Sequence, residues 1–91
     1  MSDATTPVEA LKSIVRDFAA ARNWGPSHSP KTLAMAIASE VGELCEPFRW
    51  LTEDESRRFV RDDPAFREAV ADEMADVFTL LLQMSVHTGI D

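Results

Sequence analysis

The chain has 91 residues, 45% of them hydrophobic and 27% charged, with a net charge of −7. That length allows one small domain with a modest core, and that composition excludes a disordered chain. The acidic balance, with no Lys/Arg cluster beyond Arg57, Arg58 and Arg61, speaks against a nucleic-acid backbone as partner. The single Cys45 excludes an intrachain disulfide and fits a reducing, cytoplasmic compartment. No signal peptide is read before Pro7, and no apolar run approaches ~18 residues, so no membrane partner is expected.

Val and Ile do not fall in alternating runs, which argues against a sheet. Residues 1–5 are expected to be a frayed tail and 6–91 a single helical domain. Thr6-Pro7-Val8-Glu9 predicts a helix start, with Thr6 at the N-cap and Pro7 at N1. This helix should run to about Arg22, burying Leu11, Ile14, Val15 and Phe18 and turning Lys12, Arg16 and Asp17 outward. Gly25-Pro26 and Ser29-Pro30 break it, so Asn23 to Pro30 reads as a loop carrying Trp24 and His28. Ser29 caps a second helix that begins at Pro30 and reaches toward Trp50. Pro47 cannot donate to the carbonyl of Glu43, and it predicts a kink or an early end there.

Thr52-Glu53-Asp54-Glu55 is a capping box for a short helix over 53–61, anchored by Phe59 and Val60. Asp63-Pro64 opens the last helix, which should reach His87 or Thr88 and stop at Gly89. His87 suits the negative end of that helix. The apolar faces are wide, and the last helix is almost wholly apolar from Val77 to Met84. The expected fold is therefore all-α: an antiparallel helical bundle completed by a homo-dimer or homo-tetramer.

Two stretches carry the chemistry, Glu40-Val41-Gly42-Glu43 and Glu73-Met74-Ala75-Asp76. Acids three apart lie on one face of a helix. At about 100° per residue, Glu40 falls inside the apolar arc of Leu33, Ile37, Val41, Leu44, Phe48 and Leu51. Glu73 falls inside the arc of Phe66, Val70, Val77, Leu80, Leu81 and Met84. Glu43 and Asp76 lie on the flanks.

A buried, unpaired carboxylate costs several kcal/mol, and neighbouring carboxylates raise one another's pKa values. A divalent cation offsets that cost. Oxygen ligands without Cys or suitably spaced His favour a hard ion, Mg²⁺ or Mn²⁺. The alternative is a set of rim acids paired with arginines. A ferritin-like carboxylate site would need Glu-x-x-His, which neither His28 nor His87 completes. Cys45 has no nearby His and reads as a core thiol. Divalent ions held by four such acids can bridge phosphate oxygens and lower the pKa of a bound water, so phosphoanhydride hydrolysis is the chemical expectation.

The ordered set of residues resembles the MazG-like all-α nucleoside triphosphate pyrophosphohydrolases, in the dCTP pyrophosphatase-like branch. The resemblance is carried by Arg22-Asn23-Trp24, His28-Ser29-Pro30, Glu40-Val41-Gly42-Glu43, Phe48-Arg49-Trp50 and Glu73-x-x-Asp76, and spans Phe18 to Val86. It implies Mg²⁺-dependent cleavage of a (deoxy)nucleoside triphosphate to the monophosphate and pyrophosphate, a housecleaning activity. It also implies that Glu40, Glu43, Glu73 and Asp76 are metal ligands; of the four, Glu43, by its flank position on the helix, is the candidate to orient the attacking water. Trp24 and Trp50 match aromatics that line the family's base pocket. His28 and Lys31 are candidates for contact with sugar or phosphate, as is Arg49.

Several positions depart from the pattern. Relatives acting on dCTP often carry a His where Val15 stands and a Tyr where Leu80 stands. Pro47 is unusual in the family's helix. Family members continue past the point matching Asp91 into a helix whose Lys, Arg or Asn contact phosphate. The alternative reading is a non-catalytic helical interaction or nucleotide-binding regulatory module.

Overall fold

Capping chemistry sets where most of the helices begin. The computed structural model describes residues 1–91 and contains four α-helices and no strand: α1 (Val8–Ala21), α2 (Pro30–Cys45), α3 (Glu53–Asp62) and α4 (Pro64–Thr88). The Ser29 hydroxyl accepts from the Thr32 N–H at 3.1 Å at the start of α2. Thr52 and Glu55 exchange both bonds of a capping box ahead of α3. Asp63 accepts from the N–H groups of Ala65 and Phe66, both at 3.1 Å, and starts α4. Gly89, at φ 71°, ends α4 in the left-handed region that glycine adopts without a Cβ penalty.

Three expectations need correction. Pro7, not Thr6, is the N-cap of α1; its ψ of 153° keeps it extended, and no side chain caps the helix. Helix α2 ends at Cys45, short of Trp50. Pro47 has no N–H to offer the Glu43 carbonyl, which takes the Glu46 N–H at 3.3 Å instead. The chain then leaves through turns as far as Leu51. Cys45 is exposed rather than a core thiol, because α4 alone packs extensively on α2 and covers one face of it.

Helix α4, about 37 Å long for its 25 residues, is the spine against which α1, α2 and α3 each pack. Its N-terminal end is pinned by Phe66, whose ring meets Phe48 edge-on at 5.3 Å and Phe59 at 5.8 Å. Phe48 lies opposite Phe66, and Glu40 lies near Asp76. From Glu40 in α2 to Phe48 just beyond its end, the partners run backward along α4 from Asp76 to Phe66, so the two helices are antiparallel. Toward the other end, α1 joins α4 through Gln83 Nε2, which donates to the Val15 carbonyl at 2.9 Å.

The core is thin. Only Ala19, Leu33, Val70, Leu82 and Gln83 are buried. Ile14 and Phe18, expected inside, are about half exposed, as are Phe78 and Leu81 on α4. Lys12, expected outward, lays its stem against the protein and sets its ammonium 4.0 Å from Glu9 and 3.8 Å from Asp91. No helix is long and apolar enough to cross a membrane.

Candidate active site

The acids of α2 and α4 converge. One oxygen from each of Glu40, Glu73 and Asp76 lies within 4.8 Å of the others. Glu40 and Glu73 are half-buried, whereas Glu43 and Asp76 are exposed, as the two helical wheels place them. Glu43 lies beside Glu40, close enough for a carboxyl–carboxyl hydrogen bond. None of the four acids is paired with a Lys or Arg; the ion pairs of the chain involve other carboxylates. The rim-acid alternative is therefore absent from this fold.

Two oxygens in the cluster, Glu40 Oε2 and Glu73 Oε2, are buried with no hydrogen-bond partner. Burial pushes the Glu40 carboxyl up to about 7 from 4.5, helped by the charges of Glu43 and Asp76 and by carboxyl–carboxyl contacts with Glu43 and Glu73, which a shared proton stabilises. Orphaned, converging carboxylate oxygens fit a hard divalent cation. Beside them, Glu43, Glu46, Pro47, Ala69 and Glu73 line an open groove of ≈ 370 Å³. Glu46 is tied to Arg49 at 2.9 Å.

A second feature lies one helical turn along α4 from Asp76. A cavity of ≈ 320 Å³ is walled by Ile14, Val15 and Phe18 from α1 and by Thr79, Leu80 and Gln83 from α4, with Trp24 and His28 from the connecting loop. The end of α1 explains how Trp24 arrives there. Asn23, at φ 53°, takes the left-handed position. Trp24 N–H bonds the Ala19 carbonyl at 3.0 Å and Asn23 N–H bonds Ala20 at 3.1 Å, the paired bonds of a Schellman stop. Trp24 then meets the Phe18 ring edge-on at 5.3 Å, and its ring lies 5.9 Å from that of His28. His28 meets His87 at 5.4 Å, and its Nδ1 is buried without a partner.

The structure thus groups Glu40, Glu43, Glu73 and Asp76 in one place and Trp24 with His28 in another. It does not bring Lys31 or Trp50 to either. Lys31 is exposed in the first turn of α2. Trp50 is 81% exposed, with the Arg49 guanidinium 4.9 Å from its ring centre. Because α2 stops at Cys45, Trp50 no longer continues the helical face of Glu43. Gln83 escapes a sequence reading that treats Val77–Met84 as almost uniformly apolar. The signal available was a lone amide three residues after Leu80 and seven after Asp76, hence on their face of the helix.

Comparison with known proteins gives a consistent picture. The chain matches no protein-family model. It is 33% identical over 84 residues to the dCTP pyrophosphatase 1 of Homo sapiens, covering 92% of this chain and 49% of that protein. The Mus musculus protein of the same name is 32% identical over the same extent. The chain spans about half the length of the curated relatives it matches. A crystal structure of a pyrophosphatase from Archaeoglobus fulgidus superposes with a TM-score of 0.85 at 33% identity, over 100% of this chain and 82% of that one.

Proposed function

Because the chain belongs to the MazG-like family of all-α nucleotide pyrophosphohydrolases, in its dCTP pyrophosphatase-like branch, we propose that it hydrolyses a (deoxy)nucleoside triphosphate to the monophosphate and pyrophosphate. The observation that carries the reading is the pair of buried, unpartnered oxygens on Glu40 and Glu73 beside Asp76. In a fold with no metal requirement, those oxygens would be satisfied by donors.

Glu40, Glu73 and Asp76 would hold Mg²⁺ (or Mn²⁺), with Glu43 as a further ligand at the groove's edge. When bound, the ion supplies Lewis acidity toward the triphosphate oxygens. Glu43 is exposed beside Glu40 and lines the groove, so it can accept a proton from an attacking water and orient it. The Trp24 cavity lies about one turn further along α4, and it takes the base. Trp24 offers a ring edge or face there, and His28 offers a nitrogen. A nucleotide spanning the two places sets its phosphates at the acids.

Half-exposed Ile14, Phe18, Phe78 and Leu81 support the dimer or tetramer expected from the sequence. In such an assembly a second copy would bring Trp50 and Lys31 against substrate. The direct test is a nucleotide panel with Mg²⁺, read as pyrophosphate release; no turnover of any triphosphate refutes the activity. One observation favours the second reading, a module that binds nucleotide without cleaving it: no Lys or Arg lines either the groove or the cavity. Tight nucleotide binding with no pyrophosphate release selects that reading.

A further inference from the structure

Glu40, Glu43, Glu46 and Arg49 follow one another at intervals of three. Three acids on one side of a helix are thus succeeded by a cation. Helix α2 ends at Cys45, yet the spacing survives that end. Glu46 keeps helical angles, φ −54° and ψ −49°, and the Cys45 carbonyl accepts from the N–H groups of Phe48 at 3.0 Å and Arg49 at 3.1 Å. The chain makes one more turn, which sets the Arg49 side chain beside that of Glu46.

Arg49 Nη1 donates to Glu46 Oε2 at 2.9 Å, and the guanidinium carbon stands 4.9 Å from the centre of the Trp50 ring. Glu46 lines the acidic groove together with Glu43 and Glu73. Of the ion pairs in the chain, this is the only one that includes a groove residue. Both partners are exposed, and pairs of that kind contribute little to stability. A phosphate offers several oxygens to the planar fork of a guanidinium, so it competes well with one carboxylate oxygen.

The order of residues along α4 selects which phosphates come near. Thr79, Leu80 and Gln83 wall the Trp24 cavity, Asp76 and Glu73 belong to the acid cluster, and Ala69 lies in the groove. A nucleotide with its base in the cavity and its first phosphate at the acids directs its outer phosphates toward the groove.

We propose that Arg49 is a phosphate-binding residue, held by Glu46 in the free chain and passed to the outer phosphates of a nucleoside triphosphate when one enters the groove. This assignment rests on the proposed function for the placing of base and first phosphate. Only non-covalent partners change: the guanidinium leaves a carboxylate for a phosphate, and the exposed Glu46 carboxylate is rehydrated. Arg49 thereby brings a positive charge to a groove whose own lining has none.

The test is equilibrium binding to the full chain, with Mg²⁺, of two probes: the α,β-imido analogue of dCTP, which resists cleavage between those phosphates, and dCMP, which lacks the outer phosphates. Arg49→Gln should weaken the analogue by about 10-fold and dCMP by less than about 2-fold. A residue that merely neutralises Glu46 would give a similar first result, so the Glu46→Gln background decides. There Arg49→Gln should still cost the analogue about 10-fold, because no Glu46 charge is left to neutralise. Should either variant lose its helical circular dichroism, the side-chain ¹⁵Nε resonance of wild-type Arg49 decides instead. It should shift on addition of the analogue and not of dCMP.

An Arg49→Gln effect that vanishes in the Glu46→Gln background, an equal loss for both probes, or an Nε resonance that ignores the analogue overturns the assignment. The expected losses without pyrophosphate release from any triphosphate would sink the hydrolase reading and leave Arg49 a phosphate contact. Turnover with no effect of Arg49→Gln on the analogue would do the reverse.

Discussion

Glu40 and Glu73 face each other across the α2–α4 contact, and each keeps one carboxylate oxygen buried and unpartnered. Two acids in that relation repel unless something positive or a proton comes between them. Glu40→Gln should therefore melt higher than wild type without metal, since it removes a like charge and adds a donor. It should also lose the metal response. A ligand at 100 times its Kd adds about 2.7 kcal/mol to the wild-type fold, and Glu40→Gln should show little of that increment with Mn²⁺. Activity should fall by about 10²-fold or more. Thermal melts with and without Mn²⁺ check this; an equal increment in both proteins removes Glu40 from the metal site.

The same carboxyl gives the fold a pH signature. Its folded pKa, about 7, lies above the ordinary 4.5, so between those values the native state binds a proton that the unfolded chain has released. Its contribution to stability is full below 4.5 and is lost as pH rises through 7. Without metal, the melting temperature should fall between pH 5 and pH 8. Cation binding needs the carboxylate, so the Mn²⁺ increment should grow over the same interval. Glu40→Gln should flatten both trends. Metal-free melts independent of pH across this window would show that no shared proton holds the cluster.

Much of this arrangement was legible in the sequence because its causes are local. Ser29, Thr52, Asp63 and Gly89 act within one turn of themselves, so their positions could be read from residue type and spacing. The placement of Glu40 and Glu73 also followed from helical periodicity. The failures depend on tertiary neighbours. Whether Cys45 is covered depends on how many helices pack on α2, and the ammonium of Lys12 lies 3.8 Å from Asp91, a neighbour far away in sequence. Trp50 was placed by extending α2 through Pro47, although the same proline argued for an early end.

Gly42, between the two acids of α2, has open space where a Cβ would stand, with no atom within 4 Å apart from its chain neighbours and the adjoining backbone of its own helix. In the single chain nothing approaches it closely. Gly42→Ala should stabilise the helix by about 0.5–1 kcal/mol, measured by urea unfolding of dilute protein. A destabilised variant would place another copy's backbone against Gly42. Sedimentation of the two proteins across a concentration range would identify that contact.

The two tryptophans should separate by stability and by substrate affinity. Trp24 packs edge-on against Phe18 and closes the cavity. Trp24→Ala should cost about 1–2 kcal/mol and weaken nucleotide binding together. Trp50 stands in solvent beside Arg49, and its removal should change unfolding by no more than about 0.5 kcal/mol. If assembly brings Trp50 over a bound base, Trp50→Ala should still raise KM for the triphosphate, because stacking is lost while the metal-holding acids are untouched. Urea unfolding combined with steady-state kinetics reads both effects. A Trp50→Ala protein with unchanged stability and unchanged KM would leave that ring a surface residue and confine base recognition to the Trp24 cavity.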